Sequence, residues 1–202
     1  MNKYFYIKTG FLSIICGLCL WVLTACLTTT DMEELESIPL QNTDTKTMYH
    51  KDFGYHFKYQ RSHNSIPIQV PSDIRMILLD SKYKTVDYFF WLKFNSWFKK
   101  LKFENGIMAM NQNETLDCDN FAMLYKSLFS VSSYKSKSKT EPAVGVVVVK
   151  QVEPFGGIPS GGLHMVNIIF ASKGFYIFEP QTGKHTELQN YPNQKYIQYI
   201  IL

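Results

Sequence analysis

Cys118 sits in LDCDNFAMLYKSLF, residues 116–129, between two aspartates and ahead of an apolar pattern with helical spacing. His164 opens LHMVNIIF (163–170) directly after the glycine-rich stretch PFGGIPSGG (154–162), and Glu179 closes FYIFEP (175–180). A thiol at a helix start meets backbone N–H groups and the positive end of the helix dipole, which favour an anion there. A histidine can take the thiol proton, and an acid can hold the imidazole in one orientation. Together these three residue types could attack an amide carbonyl. Gln112, six residues before Cys118, could donate its amide to an oxyanion beside the Cys118 N–H, though a plain loop glutamine explains it equally well. Asp117 and Asp119 suit a helix start as caps, and they are also oxygen ligands of the kind calcium takes.

These residues need elements to position them. Phe121, Ala122, Leu124, Tyr125, Leu128 and Phe129 continue after the cysteine at helical spacing, so Cys118 is expected at the N-terminus of a buried helix. An earlier helix is predicted over 85–103, with Val86, Phe89, Phe90, Lys93, Phe94, Trp97, Phe98 and Leu101 three and four apart. VPSDIRMILLD (70–80) carries a helix-start signal in Ser72 and Asp73. AVGVVVVKQV (143–152) is a β-branched run typical of a central strand, and 163–170 and 175–180 read as a hairpin across ASKG. Helices first and an antiparallel sheet afterwards make the expected class α+β.

The hairpin allows a parity test. A loop of four residues, 171–174, pairs Phe170 with Phe175 and sets His164 opposite Gln181. Glu179 is then the diagonal neighbour, roughly 7–8 Å away between Cα atoms. Either could accept from the imidazole, so Glu179 is the first candidate and Gln181 the second. His185, in TGKHTE, is a rival base placed in an expected turn.

Four cysteines are encoded, and Cys16, Cys19 and Cys26 all lie near the N-terminus. Lys3 and Lys8 precede an apolar run from Phe11 to Ala25, the pattern of a secretory signal peptide. The run is short for a membrane span. Its end, Leu23-Thr24-Ala25-Cys26, resembles a bacterial lipobox, with Cys26 as the lipidated residue. The expected organisation is a signal peptide over 1–25, a polar tether over 26–47 and one domain over 48–202. Cys118 would then be the remaining free thiol in an oxidising compartment. Leu27 after Cys26 would favour the outer membrane in a two-membrane bacterium. The membrane is thus an expected partner through the anchor.

The composition bounds the rest. Of 202 residues 46% are apolar and 15% aromatic, which suits a globular chain with a core. The net charge of +4 is too mild to argue for nucleic acid. His50, His56 and His63 lack carboxylate or thiol partners at ligand spacing, so a metal cluster there is not favoured.

DCDNFA, HMVNI and FEPQTG, in this order, resemble the papain-like and transglutaminase-like cysteine peptidase group, most closely the protease domain of a Marasmius agglutinin. The resemblance spans roughly 85–183 and implies N-terminal helices packed on a C-terminal antiparallel sheet. It implies Cys118 as nucleophile, His164 as base and Glu179 as the orienting acid, acting on a protein or peptide, with no required cofactor beyond possible calcium. Two other readings stand beside it: a surface lipoprotein that binds a protein or glycan without catalysis, and a peptidoglycan amidase or endopeptidase.

Overall fold

The computed structural model describes residues 37–40, 46–49, 70–71, 73–106 and 117–202. The chain divides into two units, 1–38 and 39–202, and all that follows concerns the second. The expected signal peptide, Cys26, Gln112 and the histidines at 50, 56 and 63 lie outside the described residues.

Strands open the unit. They are β1 (Thr47–Tyr49), β2 (Arg75–Ile77) and β3 (Lys82–Lys84). Two helices follow, α1 (Tyr88–Glu104) and α2 (Cys118–Lys135). Then come β4 (Glu141–Pro142), β5 (Val144–Lys150), β6 (Leu163–Ala171), β7 (Gly174–Phe178), β8 (His185–Glu187) and, after two short 3-10 turns, β9 (Ile197–Ile201). The large sheet has the order β2-β9-β5-β6-β7-β8, and a small one has the order β1-β3-β4.

This corrects the expected papain-like α+β arrangement of helices packed on a C-terminal antiparallel sheet. Strands dominate the described residues, they begin before the helices, they form two sheets, and β2–β9 and β3–β4 are parallel pairs. The predicted helix start at 70–80 yields a strand instead. Its apolar run is too short to make two helical turns, and β2 satisfies its backbone against the distant β9.

The hairpin keeps the expected register, Phe170 opposite Phe175, but the strands run one pair further, Ala171 opposite Gly174. The loop is therefore two residues rather than four, still an even number, so the parity reasoning is unaffected. β5 lies at the centre between β6 and β9, buried nearly throughout as its valine run demands. Gly145 lets β9 approach closely: a Cβ there would stand 2.6 Å from the Ile201 carbonyl oxygen.

α1 starts where Asp87 accepts the Phe90 N–H at 2.8 Å. Its buried face is Phe90, Trp91, Phe94, Asn95, Phe98 and Lys102, while Phe89 is 68% exposed. The face is rotated from the one read by apolarity alone, because two of its members are polar. Asn95 accepts from the Tyr125 hydroxyl at 2.5 Å, and that hydroxyl accepts from Trp91 Nε1 at 3.0 Å. Around this network Phe94, Phe98, Tyr125, Phe129 and Phe178 pack in tilted and edge-on contacts, which join the helices to the sheet.

Candidate functional site

α2 begins at Cys118, with Asp117 as its N-cap. The sequence gives this start its logic. Asn120 accepts the Asp117 N–H at 3.3 Å, and the buried face that follows is Phe121, Ala122, Tyr125, Leu128 and Phe129. Asn167 of β6 pins the first turns to the sheet, donating to the carbonyls of Ala122 (2.9 Å) and Gly145 (3.1 Å). Cys118 is the free cysteine among the described residues and is partly exposed.

Across from it, at the start of β6, His164 is only 6% exposed. Its Nε2 stands 2.5 Å from Oε2 of Glu179, which is completely buried just past the end of β7. His164 is also hydrogen-bonded to the Cys118 side chain. Since Nε2 is taken by Glu179, the other ring nitrogen, Nδ1, is the one left for the thiol. Burial pulls the His164 pKa down, but its interactions with Cys118 and Glu179 together outweigh it, and the pKa rises to about 9. His164 is therefore an imidazolium at neutral pH, wedged between an acid and a thiol.

Glu179 is held as firmly as the histidine. Its second oxygen, Oε1, accepts the Gln181 N–H at 3.0 Å. The turn after it is closed by Gly183 N–H to the Glu179 carbonyl and Glu179 N–H to the Lys184 carbonyl, both 2.8 Å. Gln181 thus joins the site through its backbone amide. The glycine-rich loop closes over the same carboxylate. A Cβ on Gly156 would meet Lys184 Cβ at 3.0 Å, Thr182 Oγ1 at 3.1 Å and Glu179 Cγ at 3.3 Å, and its φ of +63° is a glycine conformation. Gln151 anchors the loop through Nε2 to the carbonyls of Ile158 (3.1 Å) and Pro159 (2.9 Å).

Asp117 and Asp119 are hydrogen-bonded to each other. That bond is the largest influence on both carboxyls, holding Asp117 low and pushing Asp119 up. Asp117 takes the cap role expected of it, as the N-cap of α2. Among the described residues no group of three or more His, Cys, Asp or Glu stands ready for a metal ion. His185 opens β8 opposite Phe178, not a turn, and its ring lies edge-on to Trp91 at 5.1 Å. Burial, with the Lys184 charge, lowers its pKa.

One member of the site gave no signal in the sequence. Lys102, in the last turn of α1, is 5% exposed and donates to the carbonyls of Pro180 (2.5 Å) and Gln181 (2.7 Å). A lysine near a helix C-terminus reads as a solvated partner of the dipole, and nothing local shows that it is buried.

No family model matches the chain, and no curated protein matches it. Among solved structures, a complex of PSL1a with E64 aligns with a TM-score of 0.53 and 14% identity, covering 77% of this chain and 50% of that one. A Polyporus squamosus lectin bound to the human-type influenza-binding epitope Neu5Aca2-6Galb1-4GlcNAc aligns with a TM-score of 0.44 and 15% identity, covering 66% of this chain and 44% of that one. The chain spans about half the length of the first. The likeness to PSL1a corrects the expected membership of the papain-like and transglutaminase-like cysteine peptidase group, and at 14% identity it is one of fold alone.

Proposed function

We propose that the domain is a ligand-binding module whose working group is the Cys118 thiol, which bonds covalently to an electrophilic carbon of its ligand, an acyl carbonyl above all. The observation that carries this reading is the unbroken line of contacts from Cys118 through His164 to Glu179, with His164 kept protonated to about pH 9. In the acyl case Sγ attacks the carbonyl carbon and His164 Nδ1 holds the thiol proton. Nε2–H stays on Glu179. As the bond from carbon to the departing group breaks, that group takes the proton, leaving a thioester on Cys118 that an acceptor nucleophile can discharge. A helix N-terminus beside the reacting carbon offers N–H donors to the oxyanion.

The probe is E64, the compound named with PSL1a. It is an epoxide, so ring opening by a thiol adds the whole reagent. Intact-mass and peptide mass spectrometry should find one adduct on the Cys118 peptide of the folded protein at pH 7. Cys118→Ala should abolish it, and His164→Ala should slow it about a hundredfold, the usual scale of a lost acid–base partner. An adduct that forms only after denaturation would overturn the reading.

A second reading keeps the fold and drops the chemistry: a non-catalytic carbohydrate-binding domain. It is supported by the lectins among the structures found and by a polar groove of about 510 Å³ lined by Asp80, Lys82, Ser130, Ser133, Tyr134 and Glu141. Tyr134 is 80% exposed, so the groove offers a ring for a sugar face. A glycan array with Tyr134→Ala as its control tests it. Glycan binding lost with Tyr134, together with no E64 adduct, would favour this second reading over the first.

A further inference from the structure

Lys102 is expensive where it stands. A buried ammonium gives up hydration, and an apolar residue at this position would continue the buried face of α1 at no such cost. Its ammonium nitrogen stands over the rings of Phe98 and Phe121, 5.3 and 5.4 Å from their centroids. Phe121 lies in the first turn of α2, three residues after Cys118. The ammonium makes no direct ion pair with Glu179. It binds instead the carbonyls of Pro180 and Gln181, the two residues that follow that acid. The Gln181 N–H in turn donates to Glu179 Oε1, which leaves Oε2 for His164.

We infer that Lys102 is a positioning residue for this site: by clamping the 180–181 carbonyls it holds the Gln181 amide on Glu179, and so aims the free carboxylate oxygen at His164. The functional meaning rests on the thiol reading above, while the clamp itself is independent of it. Lys102 ties α1, the start of α2 and the turn after β7 into one frame, and these elements carry the thiol and the acid. Burial lowers its pKa to about 8, partly offset by the Glu179 charge and reinforced by Lys99. The ionisable groups that act on it are therefore Glu179 and Lys99.

The test is Lys102→Met, which keeps the stem and removes the donors. His164 is followed by NMR titration of its imidazole protons. In the parent protein it should titrate near 9. If the clamp aims Glu179, the variant should titrate below about 8, because the acid swings away. Lys102→Arg, whose guanidinium can donate to both carbonyls, should restore the parent value. Loss of the positive charge alone would raise the His164 pKa, so a rise, or no change, overturns the inference. Should the Met variant fail to fold, Lys102→Leu, which also lacks a donor, is read by the same criterion. An absent E64 adduct in the parent would sink the thiol reading and leave this titration valid. An unmoved His164 beside an intact parent adduct would sink the Lys102 role alone.

Discussion

Glu179→Gln isolates the charge at the centre of the site. The substitution keeps the shape and an oxygen to accept the Gln181 N–H, now at 3.0 Å. It removes the anion 2.5 Å from His164. His164 titrates at about 9 against an ordinary 6.5, a difference of 2.5. At 1.36 kcal/mol for each unit this is about 3 kcal/mol of preference for the imidazolium. Burial works against that preference, and Glu179 shares the favourable part with Cys118, so losing the carboxylate should drop His164 to about 7 or below. The folded-state value is raised, so the stabilisation is complete below pH 6.5 and is lost as pH rises through 9. His164 by itself therefore contributes a loss of about 3 kcal/mol between those values, roughly 6–12 °C in Tm for a domain of this size, and the depressed pKa of Lys102, about 8, works in the opposite direction above that pH. Glu179→Gln should lose the His164 part of that fall, and an imidazole NMR titration should report the lower pKa directly. A variant whose His164 still titrates near 9, with an undiminished pH slope, would refute the claim that the carboxylate charge holds the imidazolium.

Two further substitutions probe the frame. Gly156→Ala forces a Cβ to within 3.0–3.3 Å of Lys184, Thr182 and Glu179 at a positive φ, so it should cost about 1–3 kcal/mol in urea unfolding and lower the His164 pKa by displacing Glu179. Tyr125→Phe leaves Trp91 Nε1 and Asn95 Oδ1 without their partner and should cost about 1–3 kcal/mol while sparing the His164 titration.

What the sequence made legible was local. β5 announces itself because a run of valines suits a strand buried on both faces. The start of α2 at Cys118 follows from an apolar stripe that begins just after a pair of acids. The hairpin register follows from parity, and the contact between His164 and Glu179 is one that parity permits. What stayed hidden depends on distant partners. β2 exists because β9 lies beside it, more than 100 residues away, so its helix-start signal lost to sheet pairing. The buried face of α1 was misread because Asn95 and Lys102 find partners in α2 and in the turn after β7, which polarity along one helix cannot reveal. The strands in front of the helices are three residues each, too short for alternation to show. Gln181 was a candidate for its side chain but contributes an amide N–H, a group every residue except proline has.

The same contacts weigh one reading of Cys118 against the other. A purely structural cluster would not need ions. Buried charge pairs are often replaced by apolar residues with no loss, or even a gain, of stability. Here a fully buried carboxylate, a nearly buried imidazole and a nearly buried ammonium converge at a helix start that bears a free, partly exposed thiol. Burial alone would discharge both bases, yet His164 is driven the other way, by the thiol and the acid together. Glu179 can satisfy only one of two cations. With His164 and Lys102 both charged, the buried part of the site carries one positive charge in excess, and what can balance it lies on the open side, where Cys118 stands. An anion completed there, on sulfur or on the oxygen of an adduct, neutralises the cluster without moving a side chain. That excess charge on the open side is what the thiol reading draws on.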